Sequence, residues 1–123
     1  NYVKNGIAGM LENVPREKLI GGVPFYTRLW TEAGDGTITS KAMGIAEEKR
    51  WVDNNQVELT WQADTAQYYG EVQTSDGAQF LWMEEERSLK EKMNVIRQND
   101  LAGVACWKLG FEDSAAWDSI QWN

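Results

Sequence analysis

Two side chains set two residues apart open the chemistry of this chain. Tyr26 and Arg28 flank Thr27 at the end of an apolar run, Leu19-Ile20-Gly21-Gly22-Val23-Pro24-Phe25-Tyr26. Residues two apart on a strand point to the same side. A phenol offers a hydrogen-bond donor, an acceptor and a ring face; a guanidinium offers a rigid fork of donors. Trp30 follows, again two residues on, and Trp107 closes a second apolar run, Ala102-Gly103-Val104-Ala105-Cys106-Trp107. An indole adds a large apolar face with one donor, and such side chains together could bind a ligand. The plainer alternative is that Tyr26, Trp30 and Trp107 belong to a core and that Arg28 pairs with one of many acids.

Other chemistries are excluded by composition. The chain of 123 residues has no His and one Cys. Ser-His and Cys-His nucleophiles and His-based metal sites therefore drop out, as does a disulfide within the chain. No cofactor and no metal is expected. Cys106 lies inside an apolar run and reads as a small buried hydrophobe. With 12 Lys and Arg against 19 Asp and Glu, the net charge is −7. A nucleic-acid partner or an anionic membrane surface is unlike this balance, and no apolar stretch approaches the ~20 residues of a membrane span. The acidity lies in residues 31–123, which carry eight bases and seventeen acids. Solubility accounts for it; a site for cationic groups is the sharper alternative. Glu84 and Glu85 precede a helix, where they favour its dipole; contact with ligand amines is the other reading.

The elements that must position these residues follow from periodicity. Ile7, Met10, Leu11 and Val14 mark a short amphipathic helix, closed by Pro15. Leu19 to Tyr26 reads as a strand covered on both faces, as in a parallel sheet, with Pro24 near its end. Residues 33–39 form a loop. Ser40 is expected to cap a helix running to about Trp51, despite the interior Gly44. Val57, Leu59 and Trp61 alternate as a strand, Tyr68 to Gln73 forms another, and Asp76-Gly77 turns into Ala78 to Met83, with Phe80 and Trp82 on one face. Ser88-Leu89-Lys90-Glu91 matches a capping box, leading into a helix with Leu89, Met93 and Ile96 on its inner face. Ala102 to Trp107 is a second buried strand, and Phe111 to Trp122 a last short helix with Trp117 inward. Trp51, Trp61, Trp117 and Trp122 are taken as core or boundary residues.

The expected fold is therefore α+β. Two parallel strands of barrel type, with flanking helices, surround an inserted small antiparallel sheet with a helix. An α/β barrel needs about 250 residues, so the chain corresponds to roughly half of one. It also lacks an initiator Met, as a piece of a longer protein would. Open sheet edges and uncovered apolar faces tend to pair with another copy, so a homo-oligomer is expected in solution.

The motifs themselves resemble a known family. Leu19 to Trp30, with its Gly-Val-Pro-Phe-Tyr-Thr-Arg core, is similar to the seventh barrel strand of glycoside hydrolase family 18, the chitinase-like enzymes. Leu101 to Gly110, followed by Glu112-Asp113, resembles the eighth. Phe80 to Lys92 resembles the same region in members linked to bacterial spore-cortex and cell-wall lysis. The resemblance implies three segments: 1–32, a barrel helix and seventh strand; 33–83, a chitinase-insertion-like α+β region; and 84–123, the final helix, eighth strand and C-terminal helix. It implies that Tyr26, Arg28 and Trp30 reach into a substrate groove and that Trp107 floors it. The ligand would be an N-acetylglucosamine-containing polysaccharide, chitin or peptidoglycan, and the parent protein a secreted, cell-wall or spore-associated glycosidase. The family's catalytic run, Asp-Gly-x-Asp-x-Asp-x-Glu, has no match here, and the contiguous Glu84-Glu85-Glu86 cannot present such an array from a strand. No catalytic residue is assigned, and the chain alone is expected to be inactive. A non-catalytic glycan-binding relative and an interaction domain are the alternatives.

Overall fold

The computed structural model describes residues 2–121, with Trp122 outside that range. Two sheets share the chain. The first pairs β1 (Ile20–Pro24) with β7 (Gly103–Trp107) in parallel, in a register running from Ile20 opposite Gly103 to Pro24 opposite Trp107. The second is a five-stranded antiparallel sheet in the order β3-β2-β6-β5-β4. It comprises β2 (Tyr26–Glu32), β3 (Ile38–Gly44), β4 (Thr60–Gln62), β5 (Gln67–Thr74) and β6 (Gly77–Trp82). Helices α1 (Tyr2–Leu11), α2 (Ile45–Asn54), α3 (Glu86–Gln98) and α4 (Ser114–Ser119) complete the fold. The expected class, with two parallel strands and an inserted antiparallel sheet, is what the chain forms. Among the described residues no helix is long and apolar enough to cross a membrane.

The run from Leu19 to Trp30 is two strands rather than one. Pro24 has no N–H to extend the parallel ladder, so β1 stops there. Phe25 then turns inward, fully buried, with its backbone N–H donating to the Trp107 carbonyl at 2.6 Å. From Tyr26 the chain pairs with different partners, in the second sheet. The parallel pair is covered on one face only. Val23 is buried, while Ile20 is 63% exposed and Trp107 67% exposed on the other side. Trp107 is thus no core residue. Cys106 is half-buried against the core, and burial raises its thiol pKa.

Three helix expectations shift. Residues 38–44 are a strand, and the helix starts only at Ile45. Full-length pairing with β2, from Tyr26 opposite Gly44 to Glu32 opposite Ile38, outweighs the capping preference of Ser40, whose hydroxyl instead accepts from Arg28. Gly44 is the helix N-cap rather than an interior residue. A Cβ there would lie 2.9 Å from the Phe111 carbonyl oxygen, so the close approach of that backbone requires glycine. The capping box before α3 is reversed: Glu85 is the N-cap, accepting from the Arg87 and Ser88 amides at 2.9 Å, while the Ser88 hydroxyl accepts from the Glu85 N–H. At the C-terminal end the helix is shorter than expected, and Trp117 is 42% exposed, its ring edge-on to Phe25 at 5.4 Å.

Two cores hold these layers. One face of α3, made by Leu89, Met93 and Ile96, meets Val23, Phe25, Ile45, Leu101, Ala116 and Ile120. Helix α2 and the segment after it cover one side of the five-stranded sheet, burying Leu29, Met43, Val52, Val57, Leu81 and Met83. The tight turn between β5 and β6 uses Gly77 at a φ of 124°, which L side chains rarely adopt. The opposite side of the sheet is left to the residues that alternate outward.

Candidate functional site

Strand alternation sorts those outward residues. On β2 they are Tyr26, Arg28 and Trp30, opposite the buried Thr27 and Leu29. Trp30 pairs with Phe80, and Trp82 with Tyr69, so the four rings share one face. The Trp82 ring lies 5.0 Å from Tyr69 and 6.0 Å from Phe80. Where β1 hands over to β2, this face opens into a cavity of about 240 Å3. It is lined by Pro24, Tyr26, Thr27, Arg28, Trp30, Gln67, Trp82 and Glu84. Tyr26, Arg28 and Trp30, the three β2 residues singled out from the sequence, thus meet in one concavity. Trp107 does not line it; its register partner Pro24 does.

Each side chain is held in a particular state. Arg28 Nε donates to Ser40 Oγ at 2.9 Å and Nη2 to the Ser40 carbonyl at 3.3 Å, with the guanidinium 5.9 Å from the Trp30 ring centre. That anchorage uses two of five N–H donors and leaves a positive fork at the cavity. Tyr26 is steadied by Phe111, centroid to centroid 6.4 Å, and its hydroxyl has no protein partner among the described residues. Trp82 Nε1 donates to Gln62 Oε1 at 2.9 Å, which fixes the indole plane, and the Thr27 hydroxyl donates to the Trp82 carbonyl.

The one carboxylate in the lining, Glu84, is 2% exposed. Lys92 Nζ meets both its oxygens at 2.8 Å, Ser88 Oγ donates at 2.6 Å and Gln67 Nε2 at 3.3 Å. Burial raises the Glu84 carboxyl above its ordinary range, while Lys92 and Ser88 pull it back. A carboxylate so saturated is not free to deliver a proton. Beside it, the Glu84 N–H reaches Glu48 Oε2 at 3.4 Å. Glu48 is fully buried with Oε1 unpartnered, and burial pushes its pKa up to about 9. Further along the same face, the Glu71 carboxylate accepts the Tyr69 hydroxyl and raises it to about 12. Among the described residues, no group of three or more His, Cys, Asp or Glu is arranged to hold a metal.

Gln67 and Trp82 are not among the residues that the sequence singles out for binding, and Glu84 is read there either as favouring the helix dipole or as contacting ligand amines. The alternation of Phe80 with Trp82 was the available signal for Trp82; nothing in the spacing pointed to Gln67. A second cavity, of about 600 Å3, lies between α1, α3 and residues 63–67 and shares Gln67 and Glu84 with the first. It lacks the stacked rings, and none of the residues singled out for binding lines it.

Comparison with known proteins gives the family and the fold. The family model described as "Glycosyl hydrolases family 18" matches residues 1–112. The cortical fragment-lytic enzyme of Bacillus subtilis (strain 168) is 25% identical over 117 residues, covering 94% of this chain and 27% of that protein. The spore cortex-lytic enzyme SleL of Bacillus megaterium QM B1551 superposes with a TM-score of 0.84 at 22% identity, over 96% of this chain and 28% of that one. A class V chitinase from tobacco, solved in complex with NAG4, gives a TM-score of 0.71 at 16% identity, over 92% of this chain and 36% of that one. Those two likenesses show the fold. The chain spans roughly a quarter to a third of the length of these relatives.

Proposed function

The chain belongs to glycosyl hydrolases family 18, and from that premise we propose that it forms the substrate-groove part of a glycosidase acting on N-acetylglucosamine-containing polysaccharide, chitin or peptidoglycan. The observation that carries this reading is the convergence of Tyr26, Arg28 and Trp30 with Trp82 in one cavity. A pyranose ring has an apolar C–H face and a rim of hydroxyls. The indoles would cover the face, and Arg28 and Tyr26 would bond the rim. Residues 33–83 act as the inserted wall, entered through β2. Trp107, exposed at the end of the parallel pair, forms the floor of the adjoining sugar position. In this reading hydrolysis proceeds with retention and substrate assistance, the sugar's 2-acetamido group attacking the anomeric carbon as a Glu protonates the leaving oxygen. Glu84, saturated by Lys92, Ser88 and Gln67, does not fill that role. This chain contributes binding and orientation, and no catalytic acid.

The test is a titration with N-acetylchitotetraose followed by Trp fluorescence. Arg28→Ala removes a charged donor from the cavity and should weaken binding about tenfold or more, with the melting temperature little changed because Arg28 is exposed. No binding by the unmodified chain, or equal binding by the variant, would overturn the reading.

A further inference from the structure

Gln67 sits at the start of β5, on the outward face by alternation with Tyr69, whose register partner is Trp82. Its Nε2 donates to the Met83 carbonyl at 3.2 Å and to Glu84 Oε2 at 3.3 Å. A carboxamide has two N–H donors, and here both meet groups that only accept. Turned over, the amide would set its own oxygen against a carbonyl and a carboxylate, so its partners determine its orientation. Glu84 cannot swing away from this arrangement, because Lys92 grips both of its oxygens and Ser88 one of them. Gln67 Oε1 is what remains, and no hydrogen bond reaches it among the described residues.

We propose that Gln67 is a specificity-determining residue of the cavity, presenting Oε1 as the acceptor for an N–H or O–H donor of the bound ligand. The inference rests on the sugar-binding reading above and names a contact within it. It also completes the cavity's polar chemistry. Arg28 can only donate, so it selects a ligand acceptor; Gln67, with both donors engaged, selects a ligand donor. A ligand that satisfies both must carry the two functions close together. An acetamido group does so with its C=O and N–H, and a pair of neighbouring hydroxyls does so as well.

Gln67→Met keeps the length of the side chain and removes the acceptor. Binding of N-acetylchitotetraose and of cellotetraose, which has hydroxyls where the first has acetamido groups, would be followed by Trp fluorescence for both proteins. The variant should bind at least one probe about fivefold more weakly or worse, at a melting temperature close to that of the unmodified chain. A loss confined to N-acetylchitotetraose identifies the donor as the amide N–H; an equal loss on both identifies a hydroxyl. If Gln67→Met does not fold, Gln67→Lys serves, since its ammonium can still face Glu84 and the Met83 carbonyl but offers no acceptor; it should show the same loss. Unchanged affinity of a folded variant for both probes overturns the assignment of Gln67 while leaving the sugar site standing. If the unmodified chain binds neither probe, the sugar reading fails and this inference with it.

Discussion

Lys92→Met is expected to destabilise the fold by about 3 kcal/mol at neutral pH, a fall in melting temperature of roughly 10 °C or more for a domain of this size. Methionine fills nearly the same volume, so the effect isolates the charge. Among the described residues, Lys92 Nζ is the only cation within bonding distance of Glu84, 2.8 Å from each oxygen, in a site where Glu84 is 2% exposed. Without it the fold must either bury an uncompensated carboxylate or bind a proton there. The cost should therefore shrink in acid. In the variant the folded-state pKa of Glu84, already raised by burial, rises further. A group with a raised folded pKa keeps its stability below the unfolded value and loses it as pH climbs. Urea unfolding at about pH 7.5 and about pH 4.5 measures this. Equal losses at both would show that Lys92 acts through packing alone.

Glu48→Gln should do the opposite and stabilise the protein. Glu48 lies in the first turn of α2, fully buried, with Oε1 unpartnered and the Glu84 N–H on Oε2. Burial is the main reason its pKa rises from 4.5 to about 9, and the neighbouring charge of Glu84 adds to the rise. The folded chain thus retains a proton that the unfolded chain releases above about pH 4.5. Stability contributed at low pH is lost as pH climbs towards 9, at up to about 1.4 kcal/mol per pH unit for this one group. Glutamine is neutral throughout and has nearly the same shape. The variant should gain about 2 kcal/mol or more at pH 8 and almost nothing near pH 4.5. Melting curves across that window decide it, and a variant with the same pH slope as the parent chain would place the titration elsewhere.

Much of this architecture was legible because local and global preferences agree. The glycine-rich run ending in Pro24 could not extend a ladder beyond its proline, Asp76-Gly77 could only turn, and Leu89, Met93 and Ile96 recur at helical spacing. Where the reading failed, a long-range term prevailed. The residues after Ile38 have a capping serine and a helix-like stretch, yet seven consecutive pairs with β2 hold them extended. Ser88 has the right neighbours for an N-cap, but Glu85, three residues earlier, takes that place because Ser88 is committed to Glu84. The site divides the same way. Tyr26, Arg28 and Trp30 share a face through a period of two that any strand imposes. Gln67 and Trp82 join them only through the pairing of β5 with β6 and β6 with β2, and no local pattern announces which strands will be neighbours. The buried pair Glu48 and Glu84 was equally hidden, since 36 residues separate them in the chain.

The most direct measurement is a two-dimensional amide and indole NMR spectrum recorded as N-acetylchitotetraose is added. Trp30 and Trp82 line the cavity, whereas Trp51 packs into the core beneath the sheet and Trp61 lies against Tyr68 and Arg87 on the far face. Shifts of the Trp30 and Trp82 indole N–H signals and of the Arg28 Nε–H signal, with Trp51 and Trp61 unmoved, are the result predicted for a sugar held by the outward face of β2. Saturable shifts centred on Trp51 or Trp61, or none anywhere in the spectrum, would contradict it.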